Sequence, residues 1–204
     1  MRLPLDLRFK KIALAPQISV RDAAGQLVLY VRQKAFKLKE SVTVFGDEAQ
    51  SRALYRIDAD RIVDFSARYR ITDVDGDGRE LGTVQRRGMR SIWRAHYEVQ
   101  RDGVTIMEVR EENPWIRVLD GLMSDIPVVG LFTGYAFNPT YRLTAVGGDG
   151  DGALLRMRKR PSFFESRFEI ERPASPAGSP LTDDEERLGV LGLLMIVLLE
   201  RHRG

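Results

Sequence analysis

PLTDDEERLGVLGLLMIVLLERHRG, residues 180–204, is the stretch on which the fold turns. An unbroken apolar run, Leu188 to Leu199, lies between an acidic start and a basic end. Thr182 and Glu185 have capping-box spacing, in which a hydroxyl and a carboxylate each satisfy a backbone N–H that the first helical turn leaves open. Acids at the first turn and Arg201, His202 and Arg203 at the last suit the helix dipole. The segment is therefore read as a helix, and one that is apolar on every face. Such a helix is buried, either in protein or in lipid. At ~1.5 Å per residue the run covers roughly 18 Å, whereas a membrane span needs about 20 apolar residues. The length favours a core helix over an anchor. A core helix must be wrapped by other elements.

Those elements are read upstream. From about residue 18 to 171 one phrase recurs at uneven spacing: an aromatic or aliphatic opener, alternation, an Asp/Gly turn and a second alternating run. It occurs from Ile18 (ISVRDAAGQLVLYV), Tyr69 (YRITDVDGDGRELGTV), Tyr97 (YEVQRDGVTIMEV) and Tyr141 (YRLTAVGGDGDGALLRM). Each reads as a β-hairpin, because Asp-Gly turns supply the positive φ that tight hairpins need. Period-two alternation turns one face of each inward. Further strands are expected at Phe36–Phe45, Ala53–Ile57, Ile62–Phe65 and Ser162–Ile170. Open sheet edges invite association and closure removes them. An antiparallel closed barrel with the last helix through its centre satisfies both the edges and the helix. The expected organisation is one domain over residues 1–204. Within it lie an apolar, partly helical insertion at 113–141, a Pro-rich linker at 172–180 and the central helix at 183–202.

Composition narrows the function classes. The chain has 32 basic and 29 acidic residues, for a formal charge of +3, which is no nucleic-acid signature. It has no cysteine, which excludes disulfides, thiolate metal sites and a cysteine nucleophile. The opening MRLPLDLRFKK has no apolar h-region, so a cytoplasmic protein is expected. Arginine dominates the cations. Arg–carboxylate pairing on strand surfaces is its expected use, although the same fork also fits phosphate.

Three stretches carry a family resemblance: DAAGQLVLYVRQKAFKLKE (Asp22–Glu40), LYRIDADRIVDFSARYRITDVDG (Leu54–Gly76) and LGTVQRRGMRSIWRAHYEV (Leu81–Val99). With the closing apolar helix, they make the chain resemble the LURP-one-related branch of the tubby C-terminal-like superfamily, which includes the phospholipid scramblases. The resemblance spans about residues 10 to 202. It implies a mainly β fold, a roughly twelve-stranded antiparallel barrel around a central hydrophobic helix. Tubby domains bind phosphoinositide head groups through basic residues, and scramblases are linked to calcium and membranes. No position of either is carried over to this chain.

Enzymatic constellations are missing from the sequence. There is no GxSxG elbow, P-loop or dinucleotide fingerprint, and His96 and His202 lack partners at metal spacing. Glu111 and Glu112 are adjacent, so on a strand they face opposite sides. Asp73, Asp75, Asp77 and Gly78 match half of a calcium loop. The twelfth position is Val84 rather than an acid, so a hairpin turn without metal is expected. No enzyme, cofactor or metal is expected. Asp149 and Asp151 are read as turn residues in the same way.

Basic clusters are the functional lead. Arg86, Arg87, Arg90 and Arg94 surround a turn, beside Trp93. Lys34, Lys37 and Lys39 cluster on one expected strand, with Lys37 and Lys39 on the same face, and Arg156, Arg158 and Arg160 share a face with Lys159 opposite. The first two clusters are the candidate ligand- and lipid-binding residues. The expected function is a non-enzymatic binding module docking peripherally on an anionic phospholipid surface. The alternatives are an interaction scaffold that uses the apolar 113–141 segment against a protein partner, and a scramblase-like membrane protein.

Overall fold

A computed structural model of the chain describes residues 1–10, 17–32, 41–60, 67–87, 96–112, 139–147, 152–162, 165–174 and 180–201. Among the described residues the first strands are β1 (Leu5–Lys10), β2 (Gln17–Arg21), β3 (Leu27–Arg32), β4 (Ser41–Phe45), β5 (Ala53–Ala59) and β6 (Arg68–Asp73). They are followed by β7 (Glu80–Arg86), β8 (His96–Arg101), β9 (Val104–Glu111), β10 (Thr140–Ala145), β11 (Leu155–Arg160) and β12 (Glu165–Glu171). A helix, α1 (Asp183–Arg201), ends the described chain. Each strand pairs antiparallel with its chain neighbours and β1 pairs with β12, so the sheet closes. This is the closed antiparallel barrel read from the sequence, with the roughly twelve strands that the family resemblance implied.

The four expected hairpins are β2–β3, β6–β7, β8–β9 and β10–β11. The β8–β9 turn shows why Asp-Gly was informative. Asp102 and Gly103 have φ of 52° and 77°, two consecutive positive values, as a type I′ turn requires. The Ala53–Ile57 strand is β5, the Ser162–Ile170 strand is β12 shifted to Glu165–Glu171, and β4 begins at Ser41. Residues 36–40 and Ile62–Phe65 lie outside the described residues.

One strand went unread. β1 completes the barrel by bridging β12 and β2. Its sequence, LDLRFK, alternates strictly: Leu5, Leu7 and Phe9 are at most 1% exposed, while Asp6 and Arg8 face out. The twelfth strand therefore comes from the N-terminus.

The helix fills the barrel. All its apolar side chains from Leu188 to Leu198 are buried, which is why a helix without a polar face is stable here. Close approach depends on glycine. A Cβ on Gly82, whose φ is +154°, would stand 2.3 Å from the Gln100 carbonyl oxygen and 2.7 Å from Leu188 Cδ2. Gly192 faces Val84 and Val99 at ordinary contact distance. The capping box forms as read: the Thr182 N–H donates to Glu185 Oε2 at 2.8 Å and the Glu185 N–H donates to Thr182 Oγ1 at 3.3 Å. No helix among the described residues is long and apolar enough to cross a membrane.

Candidate functional site

Sequential antiparallel strands put alternate connections at opposite ends of the barrel. The β2–β3, β4–β5, β6–β7, β8–β9 and β10–β11 turns and the start of α1 share one rim. The β1–β2, β3–β4, β5–β6, β7–β8, β9–β10 and β11–β12 connections leave from the other.

The strand ends that flank both basic clusters belong to that second rim. The strand ends flanking Lys34, Lys37 and Lys39 are Arg32 and Ser41, and those flanking Arg90 and Arg94 are Arg87 and His96. These five cations, with Trp93, lie outside the described residues. The two described members of the cluster part company. β7 continues through Arg86, so Arg86 points inward and is 7% exposed, opposite the buried Tyr97. Glu111, on β9, is also inward and 6% exposed, opposite the buried Tyr141. Among the described residues the second-rim end thus places two charged residues, Arg86 and Glu111, inside the barrel. Arg87 points outward, with Nε 3.4 Å from Glu98 and Nη1 3.5 Å from Glu108. Period two separates Arg86 from Arg87, as it separates Glu111 from Glu112.

The connections differ in charge from rim to rim. By the strand bounds, those of the second rim contain nine basic and six acidic residues; those of the first contain three basic and eight acidic, before the four acids of the first helical turn. Both tryptophans and six of the nine phenylalanines fall in second-rim connections, and no aromatic residue falls in the others. The first is here the acidic rim and the second the basic rim.

At the acidic rim the carboxylates are tied down. Arg79 reaches Asp184 at 2.7 Å, Arg101 reaches Glu185 at 3.7 Å and Arg172 pairs with Glu186. The Arg79 hydrogen bond holds the Asp184 carboxyl below its usual range, and the Thr182 hydrogen bonds do the same for Glu185. The acidic loop is a working turn. Asp73 Oδ1 accepts the Gly76 N–H at 3.0 Å, Asp77 Oδ1 accepts the Arg79 N–H at 3.1 Å, and Asp75 pairs with Arg52. Among the described residues no three potential ligands converge on a metal position. Asp149 and Asp151 lie outside the described residues.

The outer wall is a lattice of arginine–carboxylate pairs. Arg156, Arg158 and Arg160 alternate outward along β11 and meet Glu112, Glu171 and Glu169. Register adds a grouping that the sequence hid. Arg110 on β9 lies directly across from Arg142 on β10, and Arg142 directly across from Arg156 on β11. These residues are 32 and 14 positions apart, so only the pairing of β9 with β10 and β11 could reveal the row. Glu112 accepts from the Nε of both Arg142 and Arg156, at 2.9 and 3.1 Å. Glu108 serves Arg87 and Arg110 and lies 3.3 Å from His96 Nε2. Burial holds the His96 imidazole below its ordinary value against the pull of Glu108. Burial raises the Glu108 carboxyl, but Arg110 and His96 outweigh that and leave it lowered.

The described residues form a closed barrel threaded by the chain's own last helix. The model of the family described as LURP-one-related matches residues 27–126, and over that stretch the chain belongs to this family. The match is shorter than the resemblance read from residue 10 to 202. An X-ray structure of a protein from Arabidopsis thaliana is similar at 14% identity and a TM-score of 0.47, covering 97% of this chain and 90% of that one. No curated protein matches the chain. The family and the barrel are consistent with a non-enzymatic module.

Proposed function

We propose that the protein is a non-enzymatic binding module that docks its basic rim on an anionic phospholipid surface, as a peripheral protein of the cytoplasmic leaflet. The supporting observation is the division of charge and aromatic residues between the rims. Lys34, Lys37 and Lys39 lie in the chain between β3 and β4, and Arg87, Arg90 and Arg94 in the chain between β7 and β8; the strand ends from which these stretches leave are four strands apart, on the order of 19 Å at ~4.8 Å per strand. Each basic residue near an anionic surface contributes about 1 kcal/mol, an attraction that fades with salt. Tryptophans favour the membrane interface. The opposite rim, acidic and without aromatic residues, faces away.

Arg86 is not a surface ligand in this reading; its charge is inside the barrel. The test is flotation with phosphatidylserine vesicles. The parent binds at low salt and releases as salt rises, and an Arg87→Glu, Arg90→Glu double variant folds but floats poorly. A parent protein that never binds, or a variant that binds as well as the parent, would reject the proposal.

A further inference from the structure

We infer, resting on the docking proposed above and naming its regulation, that His96 is a proton-operated release for Arg87: charging the imidazole frees the Arg87 guanidinium from the outer wall to meet an anion at the basic rim. His96, at the start of β8, stands directly across from Arg110 on β9, and Glu98 directly across from Glu108. Arg87 follows the end of β7, and its backbone N–H donates to the His96 carbonyl at 3.0 Å. Its guanidinium spans the two carboxylates, with Nε 3.4 Å from Glu98 and Nη1 3.5 Å from Glu108. Glu108 also pairs with Arg110 and lies 3.3 Å from His96 Nε2. With the imidazole neutral, the two guanidinium groups of Arg87 and Arg110 answer the two carboxylates of Glu98 and Glu108. A proton on His96 sets three cations against the same two acids.

Exposure and distance decide which cation gives way. The Glu108 and His96 side chains are 13% and 19% exposed, and Arg110 holds the same Glu108 oxygen that His96 faces. Arg87 is 58% exposed, has the longest contacts of the group and stands where the chain leaves β7 for the basic rim. Long contacts from an exposed arginine are the weakest kind of ion pair, so Arg87 is the one displaced. Burial opposes the charged imidazole most. Glu108, from β9, favours it, while Arg110, from β9, and Arg87, beside β7, oppose it. Glu98 lies two residues along the same face of β8. The Glu108 carboxyl is held below its usual range, so it stays ionised while the imidazole charges. Departure of Arg87 removes one of the repulsions. By reciprocity, an anion that draws Arg87 away must raise the proton affinity of His96.

Flotation with phosphatidylglycerol vesicles at low salt, from about pH 7.5 to about pH 5.5, covers the range in which an imidazole charges while the lipid phosphodiester stays ionised. The parent should bind about fivefold tighter at the acid end, the worth of one further basic charge near an anionic surface. Phosphatidylcholine vesicles should stay unbound throughout, and melting curves at each pH establish that the fold persists. His96→Gln, which keeps the chain's other histidine, His202, should lack the rise. Without vesicles, NMR reads the coupling alone: the Arg87 Nε–H resonance should move with the His96 titration. Adding phosphatidylglycerol vesicles should shift that titration to higher pH. An Arg87 resonance that ignores His96, binding that does not rise with acid, or a rise kept by His96→Gln or shared by phosphatidylcholine overturns the inference. No binding at any pH by a protein whose Arg87 follows His96 overturns the docking and leaves the release standing.

Discussion

The two rims of the barrel are made from the same strands, yet they solve different problems. At the acidic rim the chain turns tightly and the last helix enters, so the carboxylates there have structural work. They cap the helix, accept turn N–H groups and pair with Arg79, Arg101 and Arg172. At the basic rim the connections are long, rich in cations and aromatic residues, and the interior beneath them holds Arg86 and Glu111. At one rim the described acids of the helix start are paired with arginines, whereas in the connections of the other the cations outnumber the acids. An excess of one sign is what an electrostatic binding surface requires.

Predictions that strike the shared core have the largest effect, because both rims depend on it. Leu194 is fully buried in α1. Leu194→Asp places an unpaired charge in the barrel centre and should cost more than about 4 kcal/mol, abolishing the cooperative melt. Truncation after Pro180 should do the same by leaving the barrel open, seen as aggregation. A soluble, cooperatively folding truncation would show that the helix is not what holds the rims together.

Gly82→Ala comes next and acts at the acidic rim. The new methyl meets the Gln100 carbonyl oxygen and Leu188 at distances side chains do not adopt, on a backbone that favours glycine. A loss of about 1–3 kcal/mol is expected, read as a lower denaturant midpoint. A neutral result would mean that the helix can withdraw from β7 at no cost.

Acid should separate the regions by pH. His96 is lowered in the folded state, so the unfolded chain binds more protons below about pH 6.5 and stability falls as pH drops through that range. Asp184 and Glu185 are also lowered; their contribution is present above the usual carboxylate range and is lost as pH falls below it. Melting temperature should therefore decline in two stages, and His96→Gln should remove only the first. A single stage in the parent would contradict this division. The smallest effect belongs to the cap: Thr182→Ala should cost about 1 kcal/mol, seen as a small shift in melting temperature.

Much of this architecture was legible because it rests on local signals. Pro180–Gly204 announced a helix needing a wrapping, and Asp102–Gly103 announced a hairpin by its turn chemistry. β1 carries an equally local signal, since Leu5, Leu7 and Phe9 alternate with polar residues. The candidate site was less legible because it depends on register. That Arg86 faces in and Arg87 out depends on where β7 ends, and strand ends are set by tertiary pairing rather than by propensity. The grouping of Arg110 with Arg142 and Arg156 depends on which strand lies beside which, a property of the closed sheet and not of any segment.

Charge reversal at each rim in turn, read by flotation on phosphatidylserine vesicles at low salt, tests the rim comparison most directly. Arg87→Glu with Arg90→Glu alters the basic rim; Glu48→Lys with Asp77→Lys alters the acidic rim, where both residues are exposed. The polarised barrel predicts that the first pair abolishes binding and that the second leaves it intact. Equal loss from both pairs, or no binding by the parent, would contradict the account.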